Sequence, residues 1–307
     1  MKRTNLFLLD MKYILPFALV CFFVSSVSAQ NYADLIRLSY NNSTLSELDG
    51  VNETDVGNFQ ADVLIPVPLT DKTSIIAGFT YENTRLGLQF SDQRTNLIMT
   101  RVNVGIKQKL SSQWSVTAVV LPKLASDFED SASEDFQIGA LALFEKKIAS
   151  NKTIKFGSYV SSENYGTTIT PMLGLYYQTR NKKFSVDAVL PIRGDVNYKL
   201  SNMWSVGANL LTSIKSYNLS EFNSDFYVQE ESIRAALTST LKFLDNALIL
   251  RGKVGFDTTD YGLYAQGDTV GAQILTFQVS GDDRSRLNSE FDSGLFIGAD
   301  LIFRVPL

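Results

Sequence analysis

Charged side chains recur at alternate positions inside otherwise apolar segments of this 307-residue chain. They are Asp62, Arg101, Lys107, Asp187, Arg234, Arg251, Lys253, Asp300 and Arg304, and both signs are present. Their type and spacing suit electrostatics rather than bond breaking. Fixed charges along one face of a strand set a field on whatever passes that face. The same spacing equally suits a salt-bridged interior, filled by side chains, that holds a barrel shut.

Nucleophilic chemistry has little to work with. The chain has no histidine, which removes Ser-His-Asp hydrolysis and histidine-based zinc sites. Carboxylate-pair or Ser-Lys catalysis stays chemically open, yet no pair is marked out by its neighbours. The sequence carries no phosphate-binding glycine loop, CxxC or cofactor fingerprint. The chain therefore reads as a non-enzyme, with no catalytic, cofactor-binding or metal residues assigned. Two acidic groups, Glu47, Asp49 and Glu53 in one loop and Asp127, Glu129, Asp130, Glu134 and Asp135 in another, could offer oxygen ligands to Ca²⁺. The glycine-centred Ca²⁺ loop signature is missing, so solvated loops are the favoured reading.

The elements that must position the charges are strands. From Phe291 to Leu307 the chain reads FDSGLFIGADLIFRVPL. Leu295, Ile297, Ala299, Leu301 and Phe303 alternate with Phe296, Gly298, Asp300, Ile302 and Arg304, which predicts a strand with one greasy and one wetter face. The same period of two sets Ile98, Val102, Val104 and Ile106 against Arg101, Asn103 and Lys107. It sets Ile233, Ala235, Leu237, Leu241 and Phe243 against Arg234, Thr238, Thr240 and Lys242, and it sets Leu248, Leu250, Val254 and Phe256 against Arg251, Lys253 and Asp257. Phe136 to Phe144 and Phe184 to Leu190 repeat the pattern.

Residues 1–29 read as a cleaved signal peptide, with Lys12 before an apolar core from Tyr13 to Phe23 and small residues Val27-Ser28-Ala29 before Gln30. Met11 is an alternative start. A membrane anchor helix would need roughly 20 apolar residues, more than this run supplies. The only cysteine, Cys21, lies inside the signal, so residues 30–307 have none. With 28 basic against 32 acidic residues, and three of the basic ones in the signal, the mature chain is acidic. Nucleic acid, which wants a basic face, is excluded as a partner.

Six short polar turns punctuate residues 30–307, at Thr70–Lys72, Ser111–Gln113, Ala149–Lys152, Asn181–Lys183, Ser201–Met203 and Asp245–Asn246. Longer excursions lie between them. Tight turns on one side and longer loops on the other are the layout of an outer-membrane barrel. Seven hairpins predict a single antiparallel up-and-down transmembrane β-barrel of 14 strands, both termini periplasmic and the last strand closing onto Asn31 to Tyr40. If the short hairpin Phe184–Leu200 stands outside the wall, the count is 12. A secreted soluble sandwich would show similar alternation, but need not sort its connections by length.

Trp114 and Trp204 follow two similar turns, KLSSQWSV and KLSNMWSV, and are expected at the periplasmic membrane interface. Pro171, inside an alternating run, predicts a bulge. The longest loop, Thr258–Glu290, contains an alternating piece from Ile274 to Val279 and either rises above the membrane or folds inward.

Several segments, in this order, resemble an uncharacterised domain-of-unknown-function family of Gram-negative outer-membrane β-barrels. They are Ala61–Leu69, Val120–Leu124 with Asp135–Phe144, Lys155–Tyr159, Pro171–Leu175, Val189–Ile192 and Gly281–Arg284. The resemblance covers most of Phe59 to Leu307. It implies an outer-membrane barrel and supplies neither an activity nor site residues. The expected partners are outer-membrane lipid and, through the carboxyl-terminal strand, the barrel assembly machinery. The expected function is a small porin-like channel for polar solutes; the alternative is a non-conducting barrel serving as an anchor, adhesin or assembly partner.

Overall fold

The computed structural model describes residues 32–46, 53–87, 94–220, 225–270, 272–274, 277–278, 282 and 284–306. The expected signal peptide, its cleavage point before Gln30, and Glu47 and Asp49 lie outside the described residues.

β-branched and aromatic residues on a period of two give strands β1 (Tyr32–Ser46), β2 (Glu53–Pro68), β3 (Thr73–Gly87), β4 (Arg94–Lys109), β5 (Trp114–Ser126), β6 (Phe136–Ala149) and β7 (Lys152–Glu163). Then come β8 (Gly166–Gln178), β9 (Phe184–Leu190), β10 (Arg193–Lys199), β11 (Trp204–Leu219), β12 (Phe226–Phe243) and β13 (Leu248–Asp257). Three short strands, β14 (Asp260–Ala265), β15 (Ala272–Ile274) and β16 (Phe277–Gln278), precede β17 (Gly294–Pro306). β1 to β13 pair in sequence, each antiparallel to the next, and β17 bridges β13 and β1. The wall is thus a closed antiparallel barrel of 14 strands. The closing seam runs from Tyr32 opposite Pro306 to Thr44 opposite Leu295, further along β1 than expected. The Phe184–Leu200 hairpin is inside the wall, as β9 and β10, which settles the count at 14.

The outward rows are apolar and bare. Leu173 is 71 % exposed, Leu237 68 %, and Leu295 and Ile297 66 % each. A continuous apolar girdle of this size is unstable in water and matches the lipid-facing band of a transmembrane barrel. The opposite faces carry the polar residues, many of them buried. This inside-out arrangement separates the fold from a soluble sandwich.

Two features depart from the expected layout. The connections at the far end from the termini are not uniformly long: Asn164–Tyr165 and Pro191–Ile192 are two-residue links. With β9 and β10 only seven residues each, the wall is low there. Pro171 also makes no bulge, because its pairing with Ser158 keeps register. β9 reaches β8 only as far as Leu173, so Pro171 sits where one neighbour is missing and a proline's lost donor is tolerated.

β12 places Leu237 near the middle of the girdle. An arginine there costs about 2–4 kcal/mol at the bilayer midplane. Leu237→Arg should lower folding stability by that amount when the barrel is titrated with urea in phospholipid vesicles. Unchanged stability would mean that this row does not face lipid.

Candidate solute pathway in the barrel lumen

The outer ends of β11 and β12 leave the wall. From Lys215 to Ser220 and from Tyr227 to Glu230 every residue is buried, so both faces of the hairpin are covered. β11 makes its side-chain contacts far around the ring. Lys215 donates to Glu82 on β3 at 2.7 Å, Gln137 on β6 donates to Ser216 Oγ at 3.1 Å, and the Ser216 amide donates to Glu163 on β7 at 2.8 Å. Asn218 meets Ser126 of β5 in a parallel bridge. In a ring of 14 strands β4 stands opposite β11, so a strand that touches β3 and β5 spans the diameter. The hairpin, with β14 paired along β12, is a septum across the barrel mouth.

Side chains explain the excursion. One face of the septum puts Tyr217, Leu219 and Val228 among Leu45, Val56, Leu86, Leu97 and Met99 of β1 to β4. The other face packs Tyr227 and Ile214 with Tyr165, Val270 and Tyr264. Each large apolar side chain buried contributes about 1.5–3 kcal/mol. Leaving β10 forfeits two or three ladder bonds at about 1 kcal/mol net each, and some are replaced by the bonds from Ser216. Burial wins.

Charges pin the septum. Lys215 lies between Glu82 and Glu230, at 2.7 and 3.3 Å, all three buried. Asn58 donates to Glu82 at 2.7 Å and Ser213 to Glu230 at 3.1 Å. Asp127 accepts from the Ser220 amide at 2.9 Å and from its hydroxyl, and Asp135 accepts from Asn218 at 2.8 Å. Two members of the acidic loop are thus spent on holding the septum tip. Among the described residues no cluster of candidate metal ligands occurs.

The charges singled out from the sequence stand on the rows opposite the apolar girdle, and most are paired. Lys107 bonds Glu145 at 2.7 Å, and Asp187 takes Lys155 at 2.6 Å and Arg193 at 3.4 Å. Arg251 meets Asp195 at 3.0 Å, Lys253 meets Asp300, and Arg304 meets Asp34, which also holds Arg37. These pairs form a belt around the half of the lumen nearer the termini. Arg234 sits higher, 2.9 Å from Asp257. Asp62 accepts from Gln60 and Thr80, both at 2.9 Å. Arg101 donates to Asn103 at 3.0 Å and to Thr80 at 3.4 Å.

Trp114 and Trp204 lie at the terminal end of the barrel on outward rows. Trp114 packs edge-on to Phe156 with Lys146 over its ring, and Trp204 donates to Ser239 at 3.0 Å. The septum residues Glu82, Lys215 and Glu230 were missed from the sequence. The available signal was the loss of alternation: Ser216 and Asn218 fall where the lipid row should continue, and Glu230-Glu231 puts carboxylates on both faces.

Beneath the septum is a cavity of about 900 Å³. Leu64, Ile76, Val119, Leu121 and Leu141 give it an apolar arc. Its cationic lining residues are Arg101, Lys123, Arg193, Lys215 and Arg234. Four are ion-paired; among the described residues Arg101 has no carboxylate within pairing distance. Glu231, also in the lining, accepts from Gln229 at 2.6 Å and has no cation partner among the described residues.

A closed β-barrel with an apolar girdle and a chamber of mixed lining inside it defines the class: a transmembrane barrel of the outer-membrane type. The chain belongs to the family described as Domain of unknown function (DUF6268), whose model matches residues 71–261. No curated protein matches it. Among solved structures it is similar to the COG4313 outer membrane channel from Pseudomonas putida F1, at 10% identity, covering 91% of this chain and 97% of that one, with a TM-score of 0.49. It is similar to a Pseudomonas aeruginosa FadL homologue at 8% identity, 87% and 88% coverage and a TM-score of 0.47. The NanC porin matches at 10% identity, with 87% and 100% coverage and a TM-score of 0.36. At these identities the likeness is one of barrel form.

Removing one member of a buried ionic group leaves the rest uncompensated, at about 3–5 kcal/mol. Lys215→Met keeps the side-chain bulk and strands Glu82 and Glu230. It should lower the urea midpoint and open the Ser216–Tyr227 region to protease while the wall stays folded. A protease pattern identical to the parent's would show that this cation does not hold the septum.

Proposed function

We propose that this barrel is an outer-membrane channel for small polar solutes that also carry an apolar part. The observation that carries the reading is the chamber under the septum. It is lined by residues of β2 to β8, β11 and β12, and it pairs an apolar arc with two ionisable groups, Arg101 and Glu231, that make no ion pair among the described residues. A barrel serving only as an anchor gains nothing from charges left out of ion pairs beside empty space, since filling the lumen would be more stable. The belt of ion pairs below supports the same reading, as charges of both signs pass a solute without trapping it.

A non-conducting barrel is the second reading, and the septum is what favours it. Planar-bilayer recording separates the two. The channel reading expects small, flickering currents from the parent and larger, steady ones after residues 215–230 are replaced by a short glycine-serine link. Arg101→Glu in that open variant should shift ion preference toward cations. Silence from the septum-free barrel, with the folded form verified on a gel, would leave the anchor.

The carboxyl-terminal strand is the part we assign to the assembly machinery. Phe303, on the outward row of β17 and paired across the seam with Ile36, is its last outward aromatic. Phe303→Asp should abolish the heat-modifiable folded band in outer-membrane fractions. Normal insertion would remove this assignment.

A further inference from the structure

The chamber is bordered by residues from both faces of the same pair of strands. Leu211, Ser213 and Arg234 line it from one face of β11–β12, and Thr212, Ile214 and Ile233 from the other. Successive residues of a strand point to opposite faces, so a space bordered by both sets lies against an edge of the pair. The β12 edge is covered by β13 and β14. Among the described residues, the β11 edge is the open one. Its ladder with β10 stops at Leu211 opposite Arg193, followed by one bond from the Thr212 amide to Ile192. It is next held at Ser216, by Glu163 and by the Asn164 amide.

Three residues, Ser213 to Lys215, therefore border a gap about 10 Å long at the usual rise per residue. Across it stands β8, which β9 leaves after Leu173 and which β15 rejoins only at Thr167 to Ile169. Pro191-Ile192 is the sill. Ile233 is ten residues up β12 from Phe243 at the turn end, about 25 Å after allowing for the usual strand tilt, which is the outer margin of the apolar band. Leu173, Leu190 and Ile233, around the opening, are all exposed on the outward face.

The geometry points to a lateral window between β8 and β11, through which small uncharged amphipathic molecules exchange between the chamber and the outer lipid leaflet. The sill and jamb, Ile192, Ile214 and Ile233, suit an apolar body. Thr212, whose hydroxyl donates to the Pro191 carbonyl at 2.8 Å, keeps the wall tied together immediately below the opening. The inference extends the channel reading by naming a second route into the same chamber, but it does not need the barrel to conduct.

The test uses the purified barrel in phospholipid vesicles, with Val119→Cys labelled by bimane inside the chamber. The quencher is the methyl ester of a doxyl-labelled stearic acid, uncharged and confined to the membrane. A bimane at Leu237→Cys, facing lipid, is the positive control, and aqueous iodide reports access by water. The window predicts that the doxyl ester quenches the chamber label, and that Ile192→Trp or Ile214→Trp reduces that quenching severalfold while leaving the Leu237 control unchanged. A chamber label left bright while the Leu237 label is quenched overturns the window. Quenching that survives both tryptophan variants overturns its assignment to the β8–β11 gap. A barrel silent in bilayer recording leaves this result standing, so failure of the channel reading and failure of the window are told apart.

Discussion

Everything in this structure follows from one constraint: a strand in hydrocarbon has no water to satisfy its backbone, so each edge must find a partner. Closure of β17 on β1 meets that demand at the seam. It is also why the short β9–β10 hairpin has consequences well beyond its own fourteen residues. Where these strands stop, β8 and β11 are left with free edges at a depth where free edges are costly. β8 is met by β15 arriving from the last long connection. β11 turns inward, where side chains from β3, β6 and β7 can reach it.

The turn inward changes what the lumen can be. A regular wall of fourteen strands would leave a central passage, whose lining residues would have to be polar and wet. The septum divides the interior by environment instead. Toward β1 to β4, Tyr217, Leu219 and Val228 make a dry cluster, in effect a small soluble-protein core inside the barrel mouth. Below it, ion pairs such as Lys155–Asp187 and Arg251–Asp195 ring the passage. The chamber lies between a dry layer and a charged one, and its mixed lining reflects both.

How much of this was legible in the sequence depended on the range of the cause. Period-two alternation is local, so the outward rows, the six turns and the closing strand could be read directly. Arg101 and Lys107 could be put on one face for the same reason. The septum could not, because its cause is distant: Lys215 is held by Glu82, 133 positions away. What the sequence did carry was a failure of its own rule. The lipid row of β11 runs Val206, Ala208, Leu210, then Thr212, Ile214, Ser216 and Asn218, turning polar as the strand leaves the membrane. Pro171 was a similar sign, read as a bulge when it marked a missing neighbour.

The septum's ionic core also bears on whether it is a fixed plug. Buried ion pairs add little net stability, since desolvation offsets most of their attraction. What they impose is a geometric condition: Glu82 and Glu230 tolerate burial only while Lys215 lies between them. An apolar cluster alone would let the hairpin slide, because dispersion contacts are non-directional. The Lys215 group fixes one seating, and Asp127 and Asp135 fix the tip at two further points. Displacing the septum would therefore expose three charges together, which disfavours intermediate positions. The lateral gap beneath it stays open in the seated position, which separates access from the leaflet from access through the mouth.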